Sequence, residues 1–359
     1  MRTIDWRELY ASNRAAIERA GVAPGILSGV TRSSQQASGG LRTFTVAGRD
    51  RRALVHVPAG VPSGTTVPLV CMLHGCTQDA TSFAAATQMN AAADRQGFAV
   101  LYPQQERGDN QNCCWNWFLP GHQARGAGEP EAIAAMVRAL VEDGPGVEVD
   151  PRRVFVAGLS AGAAMAAVMA ATYPELFAAL AVHSGLAYRS ATNVIGAFAA
   201  MGGRGRKLAE PGAAVHEAMG PLARPIPTMV VHGSADHTVA PGNGQRVLEQ
   251  FMAANRLVDP ASCDFDPLRP TDVSRAQADG GGHAYTCSRW TDRSGALMHE
   301  LLEVEGMGHA WSGGATGGSW TDPRGPDASE AIWRFFAAGG RAASVDALTS
   351  GPTAWPDPT

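Results

Sequence analysis

An α/β fold is predicted, with a mostly parallel central sheet and helices packed on both of its faces. Two observations carry it. Short, continuously apolar runs such as "VPLVCMLH", "GFAVLYP" and "RRVFVAG" recur along the chain. Helix-like segments separate them. Strands buried on both faces read as unbroken apolar runs, and parallel neighbours need helical crossovers. No internal repeat is visible, and 359 residues suffice for one large core.

The elements follow in order. Residues 1–40 read as an amphipathic helical arm ending in the polar linker "TRSSQQASGG". "LRTFTVAGRDRRALVHVP" alternates as two antiparallel strands around "AGRD". Strand "VPLVCMLH" precedes a helix over Thr81–Gln96, "GFAVLYP" one over Glu129–Val141, and "RRVFVAG" one over Ala161–Thr172. "FAALAVHSG", "IPTMVVHG" and "ALMHELLEVEG" are later strands. Residues 185–225 break the rhythm and form a candidate cap or lid within a single catalytic domain over 41–340. Residues 341–359 read as a tail.

Composition narrows the function. A net charge of −4 gives no reason to expect nucleic acid or an anionic membrane as partner. No apolar run is long enough for a membrane span, and the N-terminal segment lacks the apolar core of a secretory signal. The six cysteines, at 71, 76, 113, 114, 263 and 287, show no zinc-ligand spacing. Neither a metal nor a cofactor is expected.

"GLSAG" sets Ser160 between Gly158 and Gly162, after a β-branched strand and before a helix of small residues. The five-residue pattern alone is weak. Its strand–turn–helix context is that of a nucleophile elbow, where a strained serine needs glycine on both sides. A serine nucleophile needs a base, and the base needs an orienting acid, here expected in the order Ser, Asp, His. Asp236, in "SADHTV" after a late strand, is the expected acid. His309, in the glycine-flanked loop "GMGHAWSGG", is the expected base. His237, adjacent to Asp236, is also a candidate; His183, His232 and His283 are less well placed. The oxyanion hole is expected from the amides of Ala161 and of Cys76 in "LHGCTQ". Trp311, two residues past His309, and Trp115 and Trp117 in "CCWNWF" are candidates to line an apolar substrate groove.

Together "LHGCTQDATSFAAATQMNAAADRQGFAVLYPQQ", "CCWNWF", "VDPRRVFVAGLSAGAAMA", "HGSADHTV" and "GMGHAWSGG" resemble the poly(3-hydroxybutyrate) depolymerase family of esterases, over roughly residues 41–339. The resemblance implies an α/β-hydrolase fold and hydrolysis of polyester or oligomeric hydroxyalkanoate esters. It implies Ser160, Asp236 and His309 as the triad and Cys76 in the oxyanion hole. It also implies a Cys76–Cys114 pair and an extracellular setting. Cys263 and Cys287 flank a predicted hairpin and are candidates for a second bridge. Cys71 and Cys113 match nothing in the family pattern. The chain departs from the secreted polymer degraders in showing neither a signal peptide nor a separate substrate-binding domain. Three alternatives stay open: a feruloyl or acetylxylan-type carboxylesterase, an acyltransferase on the same fold, and a binding protein built on an inactive hydrolase.

Overall fold

The computed structural model describes residues 31–32, 40–46, 48–144, 146–206 and 209–338. The predicted N-terminal helix and the C-terminal tail lie outside them.

Strands β1 (Thr31–Arg32), β2 (Gly40–Val46) and β3 (Arg49–His56) form an antiparallel edge. Next come β4 (Thr66–Leu73), helices α1 (Ala80–Thr87) and α2 (Met89–Gln96), and β5 (Ala99–Pro103). Helix α3 (Gly128–Glu142), β6 (Glu148–Leu159), α4 (Ala161–Thr172) and β7 (Ala179–His183) follow. After α5 (Val194–Ala199) and α6 (Pro211–Met219) come β8 (Thr228–Gly233) and α7 (Gly242–Val258). The chain then runs through β9 (Asp272–Gln277), β10 (Ala284–Thr291) and β11 (Leu297–Val304). Short strands β12 (Trp311–Ser312) and β13 (Thr321–Asp322) precede α8 (Ala328–Ala337).

Eleven strands share one sheet, in the order β1-β2-β3-β5-β4-β6-β7-β8-β11-β10-β9. The six central strands, β5 to β11 in that order, pair in parallel. Both margins are antiparallel. The margin β9–β10 escapes the apolar-run criterion because its strands are half-exposed and rich in polar residues.

The sheet has a core on each face, as the two-residue alternation of strands requires. Leu69, Cys71 and Leu73 of β4 pack with α3, α4 and α7, whereas Val70 and Met72 pack with α1, α2 and α8. This alternation corrects the expected second disulfide. Cys263 belongs to the first cluster and Cys287 to the second, so the sheet lies between them; both are free, as are Cys71 and Cys113. The helix expected over 81–96 is two helices. Gln88 is left-handed at φ 56°, and the Thr87 hydroxyl donates to the Phe83 carbonyl while accepting from Met89 N–H.

Helix α4 is buried at every one of its residues. A helix apolar on all sides has no solvent face and is held at the centre of the molecule. Its approach to the sheet is set by glycine: a Cβ on Gly162 would overlap the Leu73 carbonyl oxygen, and one on Gly158 would lie 2.5 Å from the Gly162 carbonyl carbon.

Candidate active site

Topology assembles the site from distant segments. β6 delivers residue 160 at its carboxyl end, and β8 and β11 are parallel neighbours with Gly233 opposite Val304. The loops leaving β8 and β11 therefore start side by side. They are stitched by Ser234 N–H to Val304 O (2.9 Å), Ala235 N–H to Met307 O (3.0 Å) and Gly306 N–H to Ser234 Oγ (2.9 Å). These bonds bring Asp236 to His309, whose Nδ1 lies 2.7 Å from Asp236 Oδ2.

Asp236 is 2% exposed. Its Oδ1 accepts the amides of Thr238 (2.9 Å) and Val239 (2.8 Å). Burial alone would raise its pKa, but hydrogen bonds from His232 and His309, with the attraction of His309, outweigh that and hold the carboxyl well below the usual range. His232 directs Nε2 to the Val239 carbonyl (3.0 Å), and His237 is exposed. His283 instead meets Asp322 at 2.9 Å.

Ser160 sits at φ 58°, ψ −119°, a sparsely populated backbone region for a residue with a side chain. Its amide donates to the His183 carbonyl (2.9 Å), which fixes the turn between β6 and α4. Ser160 and His309 line the same cavity without a hydrogen bond between them. Ala161, Gly75 and Cys76 line it as well. Ala161 opens α4, so its amide lies at the positive end of the helix dipole.

The loop carrying Cys76 is bonded to the loop carrying Cys114 by a disulfide. The second loop hangs on buried Glu129, which accepts from Asn116 N–H (2.7 Å), Asn116 Nδ2 (2.6 Å) and Gln105 Nε2 (2.5 Å). Burial opposes ionisation of Glu129, but the charge and hydrogen bond of His122 outweigh it and lower its pKa. His74, fully buried before the loop that carries Cys76, donates from Nδ1 to Gly75 O (2.8 Å) and accepts Gln105 N–H at Nε2 (3.1 Å). Loss of solvent pushes its pKa down to about 4, so the ring is neutral.

The aromatic candidates divide. Trp117 lines the cavity with Phe118. Trp115 is buried against His74, with ring centroids 5.5 Å apart, and does not line the cavity. Trp311 does not line it either. It is 1% exposed, stacked on His183 at 4.9 Å and set edge-on to Phe83 at 5.7 Å, with its indole N–H donating to Ser329 Oγ. The aromatic residue beside the expected base is Trp320. Its ring meets His309 edge-on at 5.8 Å, and it lines the cavity. Sequence reasoning missed it, although "GGSW" sets a large aromatic after two glycines. Val194, Ala197 and Phe198 of α5, with Met201, complete an apolar wall from the segment expected to be a cap.

Comparison with known proteins agrees with this architecture. The Esterase PHB depolymerase family model matches residues 52–265. The chain is 37% identical over 294 residues to the poly(3-hydroxyalkanoate) depolymerase C of Paucimonas lemoignei, covering 79% of this chain and 64% of that protein. It thus spans slightly under two thirds of that relative's length. It is 33% identical over 232 residues to a probable acetylxylan esterase A of Aspergillus clavatus, covering 62% of this chain and 71% of that one. Among solved structures, the acetyl xylan esterase from Aspergillus awamori superposes with a TM-score of 0.64 at 24% identity, over 84% of this chain and all of that one, and so shares its α/β-hydrolase fold. The family model spans more than half of the chain and includes the serine elbow and the disulfide-bonded loops, so this chain belongs to the Esterase PHB depolymerase family.

Proposed function

We propose that the chain is a serine esterase that hydrolyses the ester bonds of poly(3-hydroxybutyrate) or its oligomers. The observation that carries the reading is the meeting of an Asp236–His309 pair and a strained Ser160 at one apolar cavity. Ser160 Oγ attacks the ester carbonyl carbon while His309 Nε2 takes its proton. Asp236, kept ionised, holds Nδ1–H and the positive charge that forms on the ring. The carbonyl oxygen becomes an oxyanion and accepts the amides of Cys76 and Ala161. As the C–O bond breaks, His309 returns the proton to the departing alcohol. Water then enters, loses a proton to His309 and releases the acid, restoring Ser160.

The apolar walls, built by Trp117, Phe118, Trp320 and α5, favour an aliphatic polyester segment over a sugar. The likeness to acetylxylan esterases supports a second reading, deacetylation of a polysaccharide. Ser160→Ala should retain the fold and lose turnover of a hydroxybutyrate trimer by several orders of magnitude. His309→Ala should do nearly the same, with little further loss in the double variant. More than about a tenth of wild-type turnover in Ser160→Ala sinks the mechanism. Rapid deacetylation of xylan without trimer activity hands the site to the second reading.

A further inference from the structure

Gln78 stands outside the proposed triad and oxyanion pair, yet it is 2% exposed and both ends of its amide are engaged. Oε1 accepts the Gly75 amide at 2.9 Å, and Nε2 donates to the Ser319 carbonyl at 2.9 Å. One partner is a donor and the other an acceptor, so the amide orientation is fixed by chemistry. The Gly75 N–H belongs to the peptide before it; the next peptide, between Gly75 and Cys76, is held at its carbonyl. Gly75 O receives His74 Nδ1 at 2.8 Å and the Gln78 backbone N–H at 3.4 Å. A peptide unit is planar and trans, so fixing its C=O fixes the direction of its N–H. That N–H is the one belonging to Cys76.

The other end of Gln78 reaches the opposite wall. Trp320 follows Ser319, donates its indole N–H to Thr77 Oγ1 (3.3 Å) and packs on His309. The layer is tight: a Cβ on Gly75 would lie 3.1 Å from Gln78 Oε1 and 3.6 Å from Ser160 Cβ. We propose that Gln78 is a positioning residue that aims the Cys76 amide at the oxyanion and registers that loop with the Trp320–His309 wall. The disulfide anchors the side chain of Cys76, and the Gln78 side chain pins Gly75, the residue from which the donating peptide starts. This assignment rests on the serine esterase reading.

The test uses p-nitrophenyl acetate, with active sites counted to completion by a fluorophosphonate so that kcat refers to folded sites only. Gln78→Ala should lower kcat per titrated site by about 10- to 100-fold, below the loss on deleting an oxyanion donor outright, with KM within about twofold. An unchanged kcat per titrated site overturns the proposal. Gln78→Glu serves even where the alanine variant does not fold. Ionised, it still accepts from Gly75 but repels the Ser319 carbonyl; protonated, it donates to that carbonyl. Its kcat relative to wild type should be about tenfold down or more at pH 8 and recover toward pH 5. A ratio that does not change with pH overturns the proposal. Ser160→Ala is run alongside. If it stays active, the esterase reading itself fails; if it is inactive while Gln78→Ala is unimpaired, only the Gln78 assignment falls.

Discussion

The serine elbow and the loop between His309 and Asp322 border the same cavity but are specified in different ways. The elbow is dictated by backbone space. Gly158 and Gly162 are glycine because β4 and α4 leave no room for a Cβ, and Ser160 holds a left-handed φ between them. Such demands leave their mark within five consecutive residues. The aromatic loop is dictated by side-chain direction. Trp311 lies two residues past His309 and turns into the core, while Trp320 lies farther along the chain and returns to the imidazole. What links them is β12 pairing with β13, which sets Trp311 opposite Thr321, and the Trp311 amide donating to the Trp320 carbonyl at 2.7 Å. Closeness in sequence places a backbone; the direction of a side chain follows from what its neighbours leave empty.

The sharpest way to break this contrast is at the elbow. Gly162→Ala puts a methyl group into the carbonyl oxygens of Leu73 and His74, two backbone atoms that cannot swing aside. It should cost roughly 4 kcal/mol or more, the range reserved for severe core lesions, and take activity down with the fold. Ser160→Ala adds no atom and should leave thermal stability unchanged. A Gly162→Ala protein melting within about 2 °C of wild type would show that the elbow tolerates bulk.

The two tryptophans test the other side. Trp311→Ala empties a fully buried site and should destabilise by about 3–5 kcal/mol. Protein that remains folded should show nearly normal turnover of p-nitrophenyl acetate. Trp320→Ala should melt close to wild type. It should weaken a hydroxybutyrate trimer by roughly 1–3 kcal/mol in kcat/KM, through lost apolar contact, and a minimal acetate much less. If the two variants exchange these phenotypes, the placement of the rings is wrong. An equal loss on both esters in Trp320→Ala would make that ring a support for His309 rather than a wall for substrate.

The smallest effect is a slope. His74 is neutral in the fold, with its pKa near 4 against about 6.5 in the unfolded chain. Below about 6.5 the unfolded state takes up a proton that the folded state refuses. His74 therefore subtracts stability as pH falls, until the folded ring also titrates near 4. Its share is on the order of 1 kcal/mol per pH unit across that window. His183 and His299, also lowered by burial, act in the same direction. His122 acts in the opposite one. Burial lowers its pKa, but Glu129 outweighs that and raises it, so its stabilisation is complete below about 6.5 and fades above. Chemical denaturation at pH 7, 6, 5 and 4 reads the slope, and His74→Gln should flatten it. Equal slopes in the two proteins would mean that the ring is charged or hydrated in the fold.

Much of the architecture was legible in the chain itself. Unbroken apolar runs mark the central parallel strands because both their faces are covered, and glycines around a lone serine mark a turn with no room for side chains. The antiparallel margin β9–β10 was legible only as a hairpin between Cys263 and Cys287, without strand bounds, since a half-exposed strand carries too few apolar residues to stand out. The break at Gln88 was not legible, since it depends on one left-handed residue inside a helical composition.

The order of amino acids was enough to mark which backbone segments meet: the elbow, the acid after β8, the histidine after β11 and the cysteine loop after β4. Each announces itself through local sterics or strand order. Three-dimensional packing settled which side chains face the cavity and that Cys263 and Cys287 stay apart. Trp311 and Trp320, or Cys263 and Cys287, are chemically equivalent as letters. They differ in which face of a sheet or loop they occupy, and that is fixed by strand register and by packing from segments far away in the chain.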